Sequence, residues 1–533
     1  MPFPLPEIPP EQRSPVVLRL LEIIQQQHEL IQQLRDEIAV LKGHKPRPQI
    51  APSCLESSPR PPAAPGDKRP GSSKRPKNAH LAVHAEVRLT VPDTPPGSVA
   101  KGYEEFVVQE LVFEARVTRY LRQRVQTPDG QTLLAPLPAG VLPGRHFGPC
   151  LSAYVLHQYH HNHVTQPLLL EELRQLGIDI SAGQLNRLLT EDQDAFHQEK
   201  EELLPAGLVG AAYVQVDDTG ARHRGQNGSC THIGNELFAY FESTSSKSRQ
   251  NFLEIVRRPH TDYVVNEVAR AYWERHELSG EVVRKLCQGP ERCTDAAAWA
   301  ARLQELGIAC ERHVRLATEG ALLGSLTDHG VAPDLVVLSD GARQYAVLRH
   351  AACWVHADRL LARMVPFSEE HRIAIKIMRE QVWELYQDLK TYRQRPDPAL
   401  VPALEAHFDA LVEQRTAFTT VNAVLDEMRT HRADLLRVLQ VPAVPLHNNT
   451  SESHLRDYVK KRKISGSTRS DAGRRCRDTF ASLKKTCRCL GVRFWDYLLD
   501  RVRALGQVPR LADLLRQRVA EAQAGIASAV PAP

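Results

Sequence analysis

The chain has 533 residues, 42% hydrophobic and 25% charged. This is the balance of a folded protein and excludes disorder throughout, and at roughly 150 residues per domain the length suits three or four units. Its 68 Lys and Arg against 63 Asp and Glu leave a net charge of only +5, so a polyanionic partner must be argued from local clusters and not from the total.

Ten cysteines without even spacing, and a start (MPFPLPEIPP) with neither a basic nor an apolar leader, argue against a secreted disulfide scaffold. No apolar run approaches the roughly 18 residues of a membrane span. The expectation is a cytoplasmic protein with no membrane partner.

Residues 14–43 carry a helix start at Ser14-Pro15, a stop at Gly43 and a heptad between them. Val17, Ile24, Ile31 and Ile38 form one register; Leu20, Gln27, Leu34 and Leu41 form the other. β-Branched residues at one seam position and leucine at the other predict a parallel coiled coil that makes a homodimer or higher assembly, with Gln27 as a polar register mark. Residues 44–98, rich in Pro, Lys and Arg, read as an extended basic linker.

Residues 99–204 are expected to hold a small β unit, with a Pro-Asp-Gly turn between Val125 and Leu133, followed by a helical DNA-binding region. The stretch LLLEELRQLGIDISAGQLNRLL predicts a helix, a turn at Gly177, an N-cap at Ser181 and a second helix, as in a helix-turn-helix. That second helix would offer Gln184, Asn186 and Arg187 to a major groove. Nearby, His157, His160, His161 and His163 cluster without cysteine or carboxylate partners at structural-zinc spacing, and they read as a helix face or end.

Residues 205–355 change period. LVGAAYVQVDDTG is a buried strand ending in two carboxylates, and GSCTHIGN and ELFAYFESTSS continue it as a meander. DLVVLSDGA is a second buried strand ending in a carboxylate. Residues 356–447 read as a helical insertion, 448–519 as a basic helical region, and 520–533 as a flexible tail.

Asp217 and Asp340 stand where strands leave a sheet, the place where α/β folds expose functional groups. Together with Glu452 they would form an oxygen-rich set suited to Mg²⁺, with two ions clamping the oxygens of an in-line phosphoryl displacement. Carboxylates after strands are commonplace, so spacing alone leaves each of them open to a structural role.

Five stretches, in order along the chain, make this sequence resemble the bacterial insertion-sequence transposases of the IS66 family. They are LRDEIAVLKGHKPRPQIAPS, GPCLSAYVLHQYHHNHVTQPLLLEELRQLGIDISAGQLNRLL, VDDTG, SDGARQY with CWVHADR, and NNTSESHLR. The resemblance implies a DDE transposase with an RNase-H-like mixed-sheet catalytic core in a multidomain α/β chain. It assigns Asp217, not Asp218, as the first catalytic and metal-binding residue, with Asp340 and Glu452 as the others. It places Tyr345, Cys353, Trp354 and His356 beside Asp340, and Asn448 and Asn449 beside Glu452; His356, Asn448 and Asn449 are expected to support the site.

The activity implied is cleavage and strand transfer of a mobile element with Mg²⁺, or Mn²⁺ in its place, in the bacterial nucleoid. Partners would be double-stranded DNA, as terminal inverted repeats and target, and accessory proteins of the element. The sequence departs from the family where Cys54 and Cys150 stand without CxxC partners, so no structural zinc is expected. The interval from Asp217 to Asp340 is also long, with added helices expected around residues 257–330.

Following Glu452, with Arg456 four positions on, lie Lys460, Lys461, Arg462, Lys463 and Arg469, then further cations to Arg488. This run is read as a surface for a DNA backbone. Two rival functions remain from the residues: a catalytically silent DNA-binding repressor or bridging relative, and an RNase-H-fold nuclease that joins no strands.

Overall fold

The computed structural model describes residues 82–90, 102–138 and 146–529, together with Gln27, Pro92 and Ser98. The coil expected at 14–43 lies outside the described residues save Gln27, as does most of the 44–98 linker. Among the described residues no helix is long and apolar enough to cross a membrane.

The first regular structure is a hairpin of β1 (Arg124–Gln126) and β2 (Thr132–Leu134), antiparallel with Val125 opposite Leu133 around the expected turn. The β unit is smaller than its alternating sequence suggests. Residues 102–123 have no strand partner among the described residues and remain irregular and mostly exposed, because alternation gives a strand its faces but not its ladder.

The helical region follows the sequence closely. Gln166–Gln175 and Ala182–Thr190 are helices, and Gly177 turns the chain at φ +82. Ser181 and Gln184 form a reciprocal capping box: Gln184 N donates to Ser181 Oγ at 3.2 Å, and Ser181 N donates to Gln184 Oε1 at 2.9 Å. Leu185 and Leu189 face inward while Asn186 and Arg187 face solvent. These helices share one apolar core with Phe480, Leu483, Cys487 and Tyr497 from helices Asp471–Cys489 and Phe494–Arg503, so the helical region and the basic region are built on each other.

The central sheet has the order β5-β4-β3-β8-β9, from β3 (Tyr213–Gly220), β4 (Ser229–Gly234), β5 (Ala239–Thr244), β8 (Val336–Ser339) and β9 (Arg349–Ala352). β3, β4 and β5 are the antiparallel meander read from the sequence, whereas β8 and β9 run parallel to β3. Between the two halves, β6 (Tyr263–Val264) and β7 (Arg292–Cys293) pair among the added helices.

The pleat assigns the faces. Val214 and Val216 pack on helices of residues 249–328, including Phe252, Trp273 and Leu322. Tyr213 turns to the opposite face with Val336, Leu338 and Val444. Residues 354–446 form a separate helical core around Trp354, Tyr386 and Phe408.

Candidate active site

Asp217 continues the face of Tyr213 and Gln215 but lies within β3, not at its end as the sequence suggests, because pairing with β4 carries the strand on to Gly220; Asp340 follows the last residue of β8, the parallel neighbour. The parallel pairing of the two strands ends at Gln215 and Leu338, and each carboxylate stands two residues beyond it, Asp217 still within β3 and Asp340 past β8. Asp340 is exposed, and its Oδ1 accepts the Ala342 amide at 3.0 Å across a turn in which Gly341 has φ +101.

Glu452 lies in the first turn of helix Asn449–Ser465. The NNTSE block holds that turn against β3. Asn448, fully buried, donates from Nδ2 to Val216 O at 2.8 Å. Gln215 bridges to Thr450 Oγ1 and the Ser451 amide, each at 3.4 Å. His232, which pairs with Asp217 across β4, reaches Ser451 Oγ at 2.7 Å and His454 at 3.0 Å. Asn449 donates its amide to His447 Nδ1 at 3.4 Å.

Burial pushes the Asp217 carboxyl up to about 7, with the charges of Asp340, Asp218 and Glu452 adding to the rise and the Asp218 amide, 2.7 Å away, opposing it. The charges of Asp340 and Glu452 thus both reach Asp217. Asp218 turns to the other face, as the strand period requires, and accepts from Tyr345 OH at 2.8 Å and Gln344 at 3.3 Å.

Arg359 donates to both Glu452 oxygens, at 3.0 and 3.4 Å, and Arg456 donates to Oε2 at 3.3 Å. His356 Nε2 stands 3.9 Å from Glu452 Oε1, and its pKa is lowered by burial first and by Arg359 second. Cys353 and Trp354 of the same segment are structural: the thiol accepts the Asn448 amide at 3.3 Å, and the indole donates to Leu435 O at 2.8 Å.

A buried carboxylate raised by its burial and by the neighbouring charges of Asp340 and Glu452 makes the kind of donor set that suits a hard divalent cation. Among the described residues no three His, Cys, Asp or Glu side chains form a ready ion cage, and the Glu452 oxygens are taken by Arg359 and Arg456.

The basic run divides on folding. Arg456, Lys460, Lys463 and Arg469 are exposed, while Arg462 is half-buried and donates to Thr219 Oγ1 at 3.2 Å. Lys461, expected on a DNA-facing surface, is buried instead: its ammonium donates to Tyr159 O at 2.6 Å and sits 3.3 Å over the Tyr159 ring. Lys484 and Lys485 are likewise buried, and both pair with Asp457. Lys461 and Lys484 dock the end of helix Pro149–His160, whose terminal carbonyls carry partial negative charge.

The histidine cluster is a packing feature. His157 stacks on His161 at 4.6 Å, His160 stacks on Phe480 at 4.2 Å, and His163 meets Asp457 at 3.1 Å. Cys487 and Cys489 are free thiols, the first buried.

Sequence reasoning missed Arg359, Gln215 and His232. The first stands inside the CWVHADR segment and could have been found there. The other two are visible only through their partners.

Two comparisons bear on this geometry. A sequence profile described as "Transposase IS66 family" matches residues 334–475, a span that holds Asp340, Arg359 and Glu452. The chain is also 40% identical over 308 residues to "Uncharacterized protein y4jO" of Sinorhizobium fredii (strain NBRC 101917 / NGR234), covering 57% of this chain and 96% of that protein. With the carboxylate-bearing strands and the NNTSE helix in place, and the matching profile running from β8 into that helix, the chain belongs to the IS66 family of transposases.

Proposed function

We propose that this protein is a metal-dependent DNA transposase in which Asp217, Asp340 and Glu452 hold the ions for cleavage at the element's ends and for joining to target DNA. The observation that carries this reading is a buried carboxylate on β3 beside the end of its parallel neighbour β8 and under a helix pinned to β3, where burial first and then the charges of Asp340 and Glu452 raise Asp217. The sheet, with three antiparallel strands followed by two parallel to the first, supports an RNase-H-like core. Two Mg²⁺ ions, or Mn²⁺ in their place, would supply an activated oxygen nucleophile and charge neutralisation at the leaving oxygen.

The chain's own residues do the rest. Asn448, Gln215 and His232 fix the turn that carries Glu452. Arg456, Lys460, Lys463 and Arg469 line the exposed side of the same helix and the loop after it, where backbone phosphates would be held. Asn186 and Arg187 face solvent on a capped helix suited to reading the inverted repeats, with Gln184 committed to the cap. The coil at 14–43 would pair two copies, and accessory proteins of the element would join them.

The test is cleavage of end-containing duplex DNA by purified protein with Mg²⁺. Asp217→Asn, Asp340→Asn and Glu452→Gln should each abolish cleavage while binding persists; cleavage at the wild-type rate by any of them refutes the assignment. The occupation of Glu452 by Arg359 and Arg456 favours a second reading, a silent DNA-binding relative. Salt-sensitive binding of end DNA by wild-type protein, without cleavage or joining of pre-cleaved ends under Mg²⁺ or Mn²⁺, would select it. Cleavage without joining would instead select a nuclease.

A further inference from the structure

Arg359 projects from helix Trp354–Ala362 with its side chain 15% exposed, and both of its terminal nitrogens face Glu452. Nη1 also lies 3.2 Å from His356 Nε2. A guanidinium has no acceptor to offer, so Nε2 must accept and the ring proton belongs on Nδ1. That Nδ1 is buried and finds no hydrogen-bond partner among the described residues. A neutral imidazole therefore steers one cation onto the carboxylate that the proposed function gives to another.

Both claims on Glu452 cannot be met at once. A divalent ion at Glu452 would face the Arg359 charge at close range, where low local dielectric strengthens repulsion. The guanidinium fork fits a phosphodiester as well as a carboxylate. An incoming DNA strand thus offers Arg359 a second anion of the right shape beside the first.

Resting on the reading of Asp217, Asp340 and Glu452 as ion ligands, we propose that Arg359 is a positioning residue that occupies Glu452 in the DNA-free protein, competes with divalent ions for it, and transfers to a backbone phosphate when DNA binds. The device would keep the ion site weak until substrate is present.

The experiment measures Mn²⁺ binding to the full-length protein without DNA, by loss of the free-ion electron paramagnetic resonance signal, in wild type, Arg359→Gln, Arg359→Lys and Asp217→Asn. Removing the competing charge in Arg359→Gln should tighten Mn²⁺ binding about tenfold, the equivalent of one charged hydrogen bond. Arg359→Lys keeps the charge without the fork and should fall between. Adding end DNA should narrow the gap between wild type and Arg359→Gln.

A residue that merely packs would leave Mn²⁺ affinity unchanged or weaken it on removal, and either result overturns the proposal. If Asp217→Asn weakens binding while neither Arg359 variant tightens it, the competition fails and the ion site stands. No Mn²⁺ binding by any variant overturns both. Should Arg359→Gln fail to fold, Arg359→Lys decides alone, and wild-type affinity in that variant counts against the proposal.

Discussion

Tyr345 donates a hydrogen bond of 2.8 Å to Asp218, joining the loop after β8 to β3 on the side of the sheet away from Asp217. The buried phenol is held protonated by burial and by the Asp218 charge, so it acts as a donor throughout the ordinary pH range. With the Gln344 bond to the same carboxylate, it ties the segment after Asp340 to β3 one residue from Asp217. Tyr345→Phe keeps the ring and deletes the donor, and it should lower the unfolding free energy by about 2 kcal/mol, the loss expected for a hydrogen bond to a charged group. Urea unfolding measures this, and a change below about 0.5 kcal/mol, the scatter of neutral surface substitutions, would remove the role given to Tyr345.

Asn448 performs the matching task for Glu452. Asn448→Ala leaves the buried Val216 carbonyl without its 2.8 Å partner and should cost roughly 1–3 kcal/mol. Asn448→Asp turns an acceptor toward the same carbonyl and should be worse. Cleavage at saturating DNA should fall in both, beyond what the fraction unfolded explains, because the helix turn bearing Glu452 loosens from β3. Equal rates for folded wild type and variants would show that the turn is held without Asn448.

Asp457 balances three neighbours: His163 at 3.1 Å, Lys484, and Lys485 at 3.5 Å. Although burial opposes it, these partners hold the carboxyl well below its ordinary value. The stabilisation is therefore complete above the unfolded value of about 4 and is lost as pH falls through the depressed folded value. Asp457→Asn should cost on the order of 3 kcal/mol at pH 7, and the gap to wild type should shrink below about pH 4. Denaturant unfolding at pH 7 and pH 3 distinguishes this from a pH-independent packing defect.

The basic run offers a contrast between neighbours. Lys460→Ala and Lys463→Ala, at exposed positions, should each weaken DNA binding similarly across sequences and reduce the salt slope by about 1. Lys461→Met should leave the slope unchanged, because that ammonium faces Tyr159, and burial with Arg477 and Lys484 pushes its pKa down to about 7. A lower slope for Lys461→Met would mean that it reaches DNA after all. Arg187→Ala should instead relax discrimination of end sequence by about 1–3 kcal/mol, seen by competition binding.

Much of this was legible beforehand where the cause is local. Ser181 caps its helix because a hydroxyl and an amide three residues apart satisfy each other within one turn. Asp218 turns away from Asp217 because the strand period is two. The β3-β4-β5 meander follows from short apolar runs divided by turns. Arg456 meets Glu452 because four residues complete about one helical turn. The hairpin at Val125 and Leu133 formed where a turn brought two strands together, while the equally strand-like residues 102–123 stayed unpaired for want of a neighbour.

By itself, then, the sequence determined the helix caps, the strand faces, the strand-end position of Asp340 and, through its motifs, the family, while pairing with β4 carried β3 past Asp217. Tertiary structure alone decided which polar groups are spent within the fold and which stay exposed. Lys461 and Arg462 are adjacent in a basic run, yet one is buried on Tyr159 and the other reaches Thr219 beside the site. Arg359 and Glu452 lie far apart in the chain and form the closest ion pair at the candidate site. Periodicity encodes which side of its own element a residue occupies, but the partner on that side comes from another element, and only packing brings that element into reach.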